Sequence, residues 1–249
     1  MTVAEKLTRA KADIDAVYEA GKSQGGNVDE AFEAGKAFAE RERFEILQKG
    51  GTNTEYREMF AGRGWTNDDF KPIYDMVPIY CSRMFAFSGI TNLKALLEKQ
   101  GVTLDLRNVA TNQLIQMFTS SLITDIGILD VSNTANLHNF FQDAAQLVNV
   151  EKVILSSEGN QTFTQAFGQC RSLVEIRFEG VIGQSISFQQ SSKLSADSLE
   201  SIVTHLSSTS TGQTITLPST ARSNYDAVKG EGAWNTLITP ITNWTFAYT

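Results

Sequence analysis

The stretch Phe167-Gly-Gln-Cys-Arg-Ser-Leu-Val-Glu-Ile-Arg-Phe178 constrains the fold of this chain more than any other. Phe167, Cys170, Leu173 and Ile176 recur every three residues, and Phe178 follows after two. A helix face repeats at about 3.6 residues and a strand at about 2, so neither alone produces this rhythm. Steps of three suit a helical or 3₁₀ segment; the step of two is the pleat of a short strand with alternate residues inward. The same ruler laid from Phe141 meets Ala144, Leu147 and Val150. From Met117 it meets Ser120, Ile123, Ile126 and Ile128, and from Met84 it meets Phe87, Ile90, Leu93 and Ala95. The four starts are 33, 24 and 26 residues apart. Lys152 interrupts the third frame, where Val153-Ile154-Leu155 offers other inward residues.

One coil of this kind cannot bury its apolar face alone, whereas stacked coils share a continuous core. The run Phe167-x2-Cys170-x2-Leu173-x2-Ile176-x-Phe178 resembles the BspA-like class of leucine-rich repeat, whose signature is F-x2-C-x2-L-x2-I-x-L. One frame carries the signature with Phe178 at its closing Leu position, the other three lack its cysteine, and the resemblance covers about residues 84–217. The expected fold is an α/β repeat: a leucine-rich-repeat solenoid with short parallel strands, preceded by a helical N-terminal region.

Charge is unevenly spread. Residues 1–78 hold 26 of the 49 charged side chains, and the remainder is rich in Ser, Thr, Asn and Gln. This shift places a boundary near Pro78, giving a helical region over 1–78, repeats over 79–217 and a cap over 218–249. In the first region Leu7, Ala10, Ile14 and Val17 form a short seam spaced 3, 4, 3. Self-association through this helix and packing on its own chain both fit, and its shortness favours the second. A second helix is expected from Asn27, with Glu30 in capping-box spacing, to about Gln48 and the stop at Lys49-Gly50-Gly51. Thr66 is placed to cap one helical turn before Pro72 and Pro78.

After the frames, Ser195 is a good N-cap, and Leu199, Ile202, Val203 and Leu206 share one helix face. Thr214-Ile215-Thr216-Leu217 reads as a strand, and a helix over 221–228 and a strand over 243–247 would close the open end.

Little in the sequence points to chemistry. A net charge of −7 argues against nucleic acid, and no run of 18 apolar residues implies membrane insertion. The start, MTVAEKLTRAKADID, does not read as a signal peptide. Cys81 and Cys170 suit reduced thiols better than a disulfide framework or zinc site, and the ruler makes Cys170 a buried core residue. His138 and His205 have no motif-placed partner, so a surface role outweighs a catalytic one. Asp105, Asp125 and Asp130 lack calcium-loop spacing, and Gly62-Arg63-Gly64-Trp65 suits a tight turn better than a phosphate loop. No catalytic residue, metal or cofactor is assigned, and the chain is not expected to be an enzyme.

What remains is surface. If Ile176 and Phe178 point inward, Glu175, Arg177 and Glu179 face solvent on a sheet and are the candidate partner-binding residues. The tail with its closing Asn-Trp-Thr-Phe-Ala, the helix-rich beginning and Gly64-Trp-Thr-Asn-Asp-Asp-Phe-Lys-Pro72 resemble leucine-rich-repeat proteins of prophages in gut bacteria. That resemblance implies a virion component made in the bacterial cytoplasm, tail or host-adhesion associated, contacting other virion proteins or a host-surface polymer. The alternative is a bacterial cell-surface adhesin. A broad uncharged polar sheet is expected to make weak, multivalent contacts with glycans or cell-wall polymers.

Overall fold

The computed structural model describes residues 56–62, 64–68, 70 and 75–249. The helices expected within 1–51 lie outside the described residues. Those described belong to one compact unit, Thr54–Thr249, and Pro78 falls inside it. Residues before Pro78 already bond forward: the N–H groups of Tyr56, Glu58 and Phe60 donate to the carbonyls of Tyr80, Ser82 and Met84.

One side of the unit carries a parallel sheet of β1 (Asp125–Asp130), β2 (Asn149–Ile154) and β3 (Glu175–Glu179), in that order. An isolated parallel bridge pairs Asn92 with Asp125, and the ladders pair Asp125 with Asn149 and Asn149 with Glu175. These offsets of 33, 24 and 26 residues equal the intervals between the ruler starts. Inward residues are Ile126 and Leu129 on β1, Val150 and Val153 on β2, and Ile176 and Phe178 on β3. Between Val150 and Val153 the register shifts, so three residues of β2 span two of β3. The extra residue turns Lys152 outward and brings Val153 in. The same three-residue step in β1 leaves Ile128, expected to be inward, 51% exposed.

Helices close both edges of this sheet. Beside β1, where the ruler places inward Leu93 and Ala95 on a strand, the chain forms α1 (Leu93–Gln100) instead. The Asn92 side chain accepts from Ala95 N–H, strong helix formers follow, and Gly101 ends the helix at φ 64°. Leu93 is buried and Ala95 exposed, as helical periodicity requires. Beside β3 lies α2 (Ala196–Thr204), capped by the Ser195 side chain. Its Ser198 and Ser201 hydroxyls accept the Ile176 and Phe178 N–H groups, each at 2.9 Å. The outer donors of β3 are thereby satisfied, and the strand is no template for another chain.

The opposite side is built of turns. Phe85, Phe118 and Phe141 donate their N–H groups to Met117, Phe140 and Ala166 in successive rungs, while intervening residues close i−3 turns. Their rings form a column, Phe60–Phe85–Phe118–Phe141–Phe167–Phe188, with centroids 5.1, 5.4, 5.2, 5.6 and 4.6 Å apart. Two further columns run beside it, both left-handed in backbone. One holds Glu58, Arg83, Gln116, Asn139 and Gln165, with φ between 53° and 58°; the other holds Phe87, Ser120, Asp143 and Gln169, with φ between 52° and 61°. Phe87, expected to be inward, is 43% exposed because this backbone swings its side chain out.

Past Phe167 a second parallel sheet appears, ordered β4 (Ile186–Ser187), β5 (Gln213–Leu217), β6 (Trp244–Tyr248). Phe188, directly after β4, continues the ring column and donates to Thr216. Helices α3 (Ala221–Lys229) and α4 (Ala233–Ile238) connect β5 to β6, and the sequence pattern had shown only the first of them. Trp234 of α4 is buried, packs edge-on to Tyr225 and donates its indole N–H to the Tyr248 hydroxyl.

Neighbouring segments approach closely at Gly159 and Gly183. A Cβ on Gly183 would lie 2.0 Å from the Gly159 carbonyl oxygen, a backbone atom no rotamer change can move. Gly183→Ala is expected to cost about 2–3 kcal/mol by overpacking. Urea titration of the variant and parent measures it, and an unchanged midpoint with unchanged slope would refute the contact.

Candidate functional site

Strand alternation sets the chemistry of the β1–β2–β3 face. On β3, Ile176 and Phe178 are buried, Arg177 and Glu179 are exposed, and Glu175 is half-buried. The three candidate residues play different parts. Glu175 is engaged within the chain: its Oε2 accepts from the hydroxyls of Ser195 at 2.9 Å and Ser198 at 3.2 Å. That carboxylate sits at the start of α2, where the helix dipole favours negative charge. Glu179 pairs with Lys152 of β2 at 2.9 Å. Arg177 makes no ion pair or side-chain hydrogen bond with another described residue.

Two shallow depressions flank Arg177. One, of about 480 Å³, also touches Lys152, Glu179, Asp197, Glu200 and His205. The other, of about 380 Å³, also touches Asn149, Glu151, Glu175 and Asp197. Along the α2 wall, Lys229 of α3 bridges Asp197 and Glu200, each at 3.0 Å. Its hydrogen bonds to Glu200 and Asp197 raise the Lys229 ammonium above the usual lysine range. Asp197 is held below the usual carboxylate range, first by its hydrogen bond to Lys229 and, more weakly, by the charge of Arg177. At the other edge Lys94 of α1 contacts Glu98 and, at 3.7 Å, Glu151. Exposed pairs like these contribute little to stability; they orient charge.

The face is therefore charged, where an uncharged polar sheet was expected. Outward strand positions are taken by Glu151, Lys152, Glu175, Arg177 and Glu179, and many of the amide side chains lie in the turns instead.

The remaining candidates resolve individually. Cys170 is fully buried, its thiol donates to the Phe141 carbonyl at 3.2 Å, and burial pushes it far above the usual thiol range. Cys81 is equally buried and donates to the Gln113 carbonyl at 3.3 Å. A thiol reagent should modify native Cys170 slowly and react fully after unfolding; stoichiometric labelling within minutes at neutral pH would overturn this. His205 is the C-cap of α2, with Nδ1–H donating to the Ser201 carbonyl at 2.7 Å. His138 takes part through its backbone, which donates to Asn136 Oδ1 and accepts from Gln116 N–H. Neither ring is hydrogen-bonded to a carboxylate or thiol among the described residues, so neither is set up as a general base.

Asp105 pairs with Arg107 at 2.7 Å, Asp130 accepts from Ser132, and Asp125 accepts from the Thr124 hydroxyl. Among the described residues no group of His, Cys, Asp or Glu is gathered to hold a metal, and no helix is long and apolar enough to cross a membrane. The Trp65 N–H reaches back to the Gly62 carbonyl, and its ring packs edge-on to Phe60. Sequence reasoning missed the ring column at Phe60, Phe85, Phe118 and Phe188. In the first two frames the ruler starts at Met84 and Met117, one residue before the phenylalanines that stack.

Comparison with protein-family models, with curated proteins and with solved structures gave no match.

Proposed function

We propose that the chain is a non-enzymatic binding protein, a BspA-like leucine-rich-repeat solenoid acting as a phage or prophage virion component in the tail or host-adhesion apparatus. The repeat reading is supported by parallel segments offset by 33, 24 and 26 residues and by a phenylalanine at one point of successive coils. The virion assignment rests on the resemblance of the tail, the helix-rich beginning and the segment before Pro72 to prophage proteins. The observation that carries the binding reading is Arg177, exposed and without an ion-pair partner among the described residues, between two depressions on a sheet whose lysine, Lys152, is already paired. A free guanidinium in such a place suits a carboxylate on a partner protein, which it can hold with two hydrogen bonds. The partner in this reading is another virion protein.

The test is made on particles. Cells carrying the element are induced, particles are banded on a density gradient, and their peptides are identified by mass spectrometry. The protein is expected in intact particles, and Arg177→Glu is expected to deplete it from them while its melting temperature stays within about 2 °C of the parent's, as for a surface change. Recovery only from the host envelope, with a processed N-terminus, would favour the cell-surface adhesin instead.

A further inference from the structure

We draw no further inference here: the strongest candidate, the apolar groove between α1 and β1 lined by Leu97, Leu104 and the exposed Ile128, carries nothing because nothing among the described residues shows what covers it.

Discussion

Leu173→Asp is expected to abolish cooperative folding of the unit that spans Thr54–Thr249. Leu173 has no exposed surface, and its N–H closes a turn on the Cys170 carbonyl, so the side chain cannot swing out without breaking the coil. An aspartate there is left ionised without a partner or protonated without a hydrogen bond, and both are costly beside a total stability of roughly 5–15 kcal/mol. Far-ultraviolet circular dichroism during heating measures the effect. A variant that melts like the parent would show that Leu173 does not face the core.

Phe141→Ala should cost about 3–5 kcal/mol, the range for an aromatic truncated in a packed core. Phe141 is fully buried in the middle of the ring column, 5.2 Å from Phe118 and 5.6 Å from Phe167, with Phe140 at 4.6 Å. Removing it takes contacts from the rungs on either side at once, and a repeat architecture depends on such nearest-neighbour contacts for its cooperativity. Urea denaturation followed by tryptophan fluorescence and by circular dichroism should therefore show a lower midpoint and, if the two halves uncouple, transitions that no longer coincide. A loss below about 1 kcal/mol would mean that the column is incidental to stability.

Some features were legible because they follow from local periodicity. Hydrophobic spacing located the inward residues of β3 and the buried Cys170, and the intervals between ruler starts equalled the offsets of the parallel ladders. Capping chemistry located α2 at Ser195, whose side chain does accept the Ser198 N–H. The outward placing of Arg177 and Glu179 followed from pleat geometry alone.

Other features depend on what lies in the neighbouring coil, which no single window of sequence contains. A bulge moved Leu129 and Val153 inward and left Ile128 and Lys152 outside, because register is settled between strands. A strand position became α1, because Asn92 and Gly101 supply caps at both ends of a run of good helix formers. Glu175 looked like a free surface carboxylate until α2, twenty residues on, brought Ser195 and Ser198 to it. The left-handed columns were hidden most completely, since Gln116, Gln165 and Phe87 have no local preference for that backbone. By itself the sequence determined which residues shun water and at what spacing, because burial is written in side-chain polarity. Only the tertiary structure decided which polar side chains are consumed inside the fold and which remain free to meet a partner, because a hydrogen bond between coils depends on distance in space and not along the chain.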